Sequence, residues 1–165
     1  MPTTKLQFTE WLPDQPSNAG SLNDAKNVFP VSVGYSPFPN AVDFSGAASE
    51  NLNSVYAAKF GSEVVIFGGA TTKIFKFNAA TEALEDKSLA GGYSGASNWR
   101  FTLFGAEVLG VNGTAKVQRW TIGSSTAFAD LAAAAPTAEF ITTVRDFVVC
   151  ANIGSDANKV QWSDI

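Results

Sequence analysis

The sequence predicts an all-β fold of antiparallel, β-propeller-like sheets, and three observations carry that prediction. From residue 54 onward, short runs of β-branched and aromatic residues follow one another. Two-residue turn signals containing Gly, Asn or Asp separate the runs. The whole pattern then recurs with a period of about 40 to 44 residues, the length of one small supersecondary unit.

In the first copy, residues 54–60 and 63–67 read as strands around Gly61-Ser62, and residues 68–72 read as the next turn. Residues 73–77 alternate Lys and apolar side chains, which predicts a third strand with one buried face. A weaker fourth strand is expected within residues 83–88. The second copy places strands at 99–104, 107–111 and 116–120, with turns at Gly105-Ala106 and Asn112-Gly113. The third places them at 139–144, 147–151 and 159–162, with a turn at Arg145-Asp146 and a loop over 152–158. Lys116-Val117-Gln118 returns as Lys159-Val160-Gln161, so each element keeps its place within the unit.

Three or four antiparallel strands at this spacing fit a propeller blade better than a sandwich, which shows no such long period. The units run 54–98, 99–138 and an incomplete 139–165, about two and a half repeats. One unit cannot bury its own faces and must stack on neighbours, and a closed ring takes about four or more of them. The remaining units are expected from other chains or from a longer polypeptide of which this is an N-terminal portion. Phe75, Phe77, Phe101, Trp120, Phe147 and Trp162 are the expected packing anchors.

Residues 1–53 have a different character, rich in Pro, Asn, Ser, Gly and Ala with isolated aromatics. Pro13, Pro16, Pro30, Pro37 and Pro39 remove backbone donors, so an extended arm without a regular ladder is expected there. One short helical turn near residues 21–27 is the exception, capped by Ser21 or Asn23.

A chain of 165 residues is long enough to be held together by burial alone. Thirteen Phe, four Trp and three Tyr against 16% charged residues imply that some surface faces other protein. A formal net charge of −4 with scattered Lys and Arg argues against a nucleic-acid surface. No apolar stretch has the length of a leader or a membrane span, so a soluble, non-secreted chain without a membrane anchor is expected. The single cysteine, Cys150, lies in an apolar run and is expected to be a packing residue.

The chain contains no His, which excludes Ser-His-Asp and Cys-His catalysis and His-based metal sites. The stretch Gly91-Gly92-Tyr93-Ser94-Gly95 lacks the Lys and the following helix of a phosphate loop, and reads as a connection between units. Carboxylate pairs are the remaining catalytic option. Glu82, Glu85 and Asp86 cluster in a polar stretch expected to be solvated, and Glu63 and Glu107 share a structural position at the start of second strands. Asp156 sits in an oxygen-rich loop that lacks the ligand pattern of a calcium site. No catalytic, cofactor-binding or metal-ligating residue is therefore expected, and the chain is not expected to be an enzyme.

Several stretches carry a resemblance in order along the chain. They are residues 11–16, 25–30 and 34–39, Trp99-Arg100-Phe101, Phe104-Gly105, Asn112-Gly113, Gln118, and then residues 128–131, 144–149 and 160–163. In these the chain resembles tailed-bacteriophage tail structural proteins, in particular the nozzle and tail-tube proteins of short-tailed phages. The resemblance implies a structural virion protein that forms a homo-oligomeric ring, of six subunits by that likeness, around the DNA exit channel. It implies contacts with neighbouring tail or portal-adaptor proteins, assembly in the host cytoplasm, and DNA that passes during ejection without sequence-specific binding. The alternative is a propeller-type carbohydrate or protein binding module, with Trp99 and Tyr93 as exposed stacking aromatics. A carboxylate-dependent glycosidase stands third.

Overall fold

The computed structural model of the chain describes residues 26–32, 34–38, 42–96 and 98–163. Among them every regular element is a strand, and all pairing is antiparallel. The chain divides into two compact units, Met1–Asp43 and Phe44–Ile165.

In the first unit, β1 (Val28–Val31) and β2 (Gly34–Pro37) form a hairpin, with Phe29 edge-on to Phe38 at 5.8 Å. This corrects the expectation that prolines keep a ladder out of the arm. The Phe38 amide donates to the Asn27 carbonyl at 2.8 Å, so 27/38 is a hydrogen-bonded pair. Alternation along the ladder then puts Val28/Pro37 and Pro30/Tyr35 at non-hydrogen-bonded sites. Both prolines lack an N–H where the pair needs none. The helical turn expected near residues 21–27 falls, apart from its last two residues, outside the described residues.

The second unit holds three sheets, each a meander of successive strands. The first sheet runs β3 (Ser54–Phe60), β4 (Glu63–Gly69), β5 (Ile74–Asn78) and β6 (Ala83–Asp86). The second runs β7 (Arg100–Phe104), β8 (Glu107–Val111), β9 (Gln118–Thr121) and β10 (Ala129–Asp130). The third has β11 (Ala138–Val144), β12 (Phe147–Ile153) and β13 (Asp156–Trp162). Gly61-Ser62, Gly105-Ala106 and Arg145-Asp146 are the two-residue turns of the leading hairpins. Arg145 adopts a positive φ of 53° there, and it and Asp146 are both exposed to solvent.

Two turn expectations need correction. Gly68 and Gly69 lie within β4, paired with Val55 and Ser54. They are glycine because of what faces them: a Cβ on Gly69 would stand 2.5 Å from the Trp99 ring. The expected loop over residues 152–158 is mostly strand, turning tightly at Gly154-Ser155, with a bulge between Ala151 and Ile153. Asn152 absorbs that irregularity at φ 54°, a conformation Asn tolerates better than most residues.

The sheets pack in series. Ala58, Val65, Phe67 and Ile74 of the first sheet bury against Val108, Trp120 and Ile122 of the second, with Trp99 and Phe128 between. The opposite face of the second sheet, Leu109 and Val111 with Val117, meets Val148, Cys150 and Ile153 of the third. Among the expected anchors, Phe75 and Trp120 are buried and Phe101 is half-buried against the first core. Phe77 and Phe147 are partly exposed, and Trp162 is 66% exposed, which corrects its assignment as a buried anchor. Phe67 and Phe128, at 0% and 2%, are the core aromatics that strand alternation alone does not single out.

Candidate functional site

The repeat makes corresponding positions in the three sheets comparable, and the comparison isolates two surfaces. On one face of the first sheet, Val65, Phe67 and Ile74 are 1%, 0% and 0% exposed under the second sheet. Their counterparts in the second sheet, Leu109, Val111 and Val117, are 1%, 0% and 1% exposed under the third. The counterparts in the third sheet are Val149, Ala151 and Val160. No further sheet lies on them among the described residues: Val160 is 53% exposed, and Val149 and Ala151 are half-buried.

Around them Val144, Phe147, Val149 and Trp162 line an open apolar depression of about 280 Å³. The side chains share a face because Val144 opposes Phe147 and Val149 opposes Trp162 across the ladder. Large exposed apolar patches on soluble domains mark contact surfaces.

The other end of the series repeats the observation in mirror. Val108 of the second sheet and Val148 of the third are buried at 0% and 8% against the preceding sheet. Val64, their counterpart in the first sheet, is 58% exposed, with Val55 at 68% and Ile66 at 37% beside it. Phe75 on the same face is covered, and Phe77 packs against the tilted ring of Phe44 at 5.4 Å, so the exposed part is the β3–β4 hairpin. Where β4 and β5 separate below Phe67 and Lys76, a cleft of about 510 Å³ opens through the sheet, lined by Val64, Ile66, Phe77 and Trp120 among others.

A third irregularity is the edge of the third sheet. In the first sheet Lys73 pairs with Asp86 at 3.1 Å, and in the second Lys116 reaches Asp130 at 3.7 Å, each carboxylate belonging to the fourth strand. Gln118, fully buried, donates to Asp130 at 2.7 Å and to the Lys116 carbonyl at 3.0 Å, and accepts from the Tyr93 hydroxyl at 3.1 Å. Lys159 and Gln161 occupy the same places on β13, beside which no fourth strand lies among the described residues, and every residue of β13 is exposed.

The residues weighed for chemistry do not come together as a site. Tyr93 and Trp99 are 8% and 2% exposed, and the Trp99 indole N–H donates to the Ala70 carbonyl at 2.9 Å. This overturns their role as stacking aromatics for a sugar: they pack edge-to-face at 4.7 Å under the loop that joins the first two sheets. Burial pushes the Tyr93 hydroxyl far above its usual pKa.

Glu85 accepts from Asn78 at 2.6 Å and pairs with Lys87 at 3.0 Å, which holds it below the usual carboxylate range. Burial raises Asp86, but the Ser88 hydroxyl and amide and the Lys73 ammonium outweigh it and leave the group lowered. Glu63 and Glu107 begin β4 and β8 as expected, Glu107 facing Arg119 at 3.6 Å. Asp156 accepts from the Asn158 amide at 3.0 Å.

Among the described residues no cluster of acidic or Cys side chains could hold a metal ion. Cys150 is 5% exposed, and burial pushes its thiol upward. No helix among the described residues is long and apolar enough to cross a membrane. Compared with models of known protein families and with curated proteins, the chain matches none.

Proposed function

We propose that this chain is an assembly protein: a structural component of a bacteriophage tail, of the nozzle or tail-tube kind. In this reading the three sheets are propeller-like blades, and the chain builds a homo-oligomeric ring around the DNA exit channel. The single observation that carries the assembly part is the pair of exposed apolar faces, one at each end of the series, whose counterparts inside the series are buried. A surface that the fold buries twice and leaves open once is a contact surface awaiting an occupant. The tail assignment draws on the resemblance of the aromatic and turn motifs.

On this reading residues 1–53 form an arm that docks on a neighbouring subunit, tail protein or portal adaptor, its hairpin β1–β2 presenting Phe29 and Phe38. DNA passes the ring without being gripped, which a net charge of −4 suits. The role is structural and not enzymatic, and the protein is located in the virion tail. Electron microscopy and mass spectrometry of purified particles test the assignment. The protein is expected in the tail at a fixed copy number, and its absence from particles would refute the reading.

A further inference from the structure

We propose that the two exposed faces are partners of each other: the third sheet of one copy packs on the first sheet of the next. The inference rests on the reading of the chain as an assembly protein and adds its geometry. The occupant is a second copy of this chain because the fold already contains this interface twice. The first sheet offers Val65, Phe67 and Ile74 to the second, and the second offers Leu109, Val111 and Val117 to the third. The third sheet presents the same positions, Val149, Ala151 and Val160, to whatever comes next.

The receiving surface recurs in the β3–β4 hairpin, the part of that face which Phe44 and Leu52 leave open. The second and third sheets receive their neighbours through Val108 and Val148, and the first sheet presents Val64 at that position, 58% exposed. The contact is therefore head-to-tail: it joins two different surfaces of one chain and leaves a free end of each kind on every dimer. Such an interface grows past the dimer and gives a ring where its rotation closes. Trp162 and Val144 at 66% and 53% exposure are the large side chains to be buried on one side, with Val55, Val64 and Ile66 on the other.

Size-exclusion chromatography with light scattering on the 165-residue chain, with sedimentation analysis over a concentration series, tests this. Because Val64 and Trp162 are already exposed, Val64→Glu and Trp162→Glu leave the fold intact, which circular dichroism checks. The unsubstituted chain is expected to form species larger than a dimer. Each variant alone is expected to be monomeric, its self-association weakened at least about tenfold. Mixed in equal amounts, the two variants are expected to form a dimer and nothing larger, since each supplies the surface that the other has lost.

A monomeric unsubstituted chain would overturn the proposal, and so would assembly by Val64→Glu alone, the mark of third sheets pairing with each other. These outcomes are separate from the virion test. A protein present in tails yet monomeric in solution refutes the head-to-tail contact and leaves the tail assignment standing.

Discussion

Gln118 and Gln161 occupy the same place in their units, yet one is fully buried and the other exposed. The difference lies in what surrounds them. Gln118 holds the Tyr93 hydroxyl, the Lys116 carbonyl and the Asp130 carboxylate, so its removal takes one hydrogen-bond partner from each of three polar groups. Gln118→Ala is expected to cost about 1–3 kcal/mol of stability in urea denaturation. Gln161→Ala, on an unpaired edge, is expected to stay within about 0.5 kcal/mol of the unsubstituted chain. Cys150 belongs to the same scale. Burial raises its pKa and shields it, so a thiol reagent at pH 8 is expected to label the folded chain slowly and the urea-unfolded chain at once.

At the scale of the element, β4 shows what a sequence pattern can and cannot convey. Its Val and Ile residues and the Gly61-Ser62 turn identify the hairpin, and β3 and β8 occupy the residues expected of them. Gly68-Gly69 looks like a turn because Gly usually marks one, but here the missing side chains let Leu52 and Trp99 approach the strand. That reason sits at distant positions in the chain, so local pattern could not supply it. Gly69→Ala is expected to cost about 1–3 kcal/mol through overpacking against Trp99. A thermal melt is the check, with Gly46→Ala, which meets open space, as the control.

The same limit explains β1–β2, where the count of prolines was legible but their alternation with the ladder was not. It also explains Trp99 and Tyr93, whose neighbouring glycines suggested an exposed loop although the Trp99 side chain fills the space beside Gly69. The repeat period, by contrast, was readable because turn and strand residues recur at equivalent positions. The candidate surfaces emerge only when the repeat and the burial are laid side by side, since an exposed and a buried Val are the same letter.

For the whole molecule, the ionisable groups confine stability from both sides of neutrality. Glu50 is lowered mainly by the hydroxyl and amide of Thr72, Glu85 by Asn78 and Lys87, and Asp86 by Ser88 and Lys73 against its burial. The folded chain therefore takes up these protons at lower pH than the unfolded chain does. Their contribution is present above the ordinary carboxylate range, about pH 4, and fades as the pH falls through it.

Tyr93 and Cys150 act in the opposite direction. Burial raises both, so the unfolded chain loses these protons first. Stability is then lost as the pH climbs past the ordinary thiol and phenol values, about 8.5 to 10. Urea midpoints measured across pH are expected to trace a plateau around neutrality with a fall on each side. Glu85→Gln with Asp86→Asn is expected to flatten the acid limb alone, and Tyr93→Phe with Cys150→Ala the alkaline limb alone. An acid limb unchanged by the first pair would mean that the hydrogen bonds along β5 and β6 do not favour the ionised carboxylates.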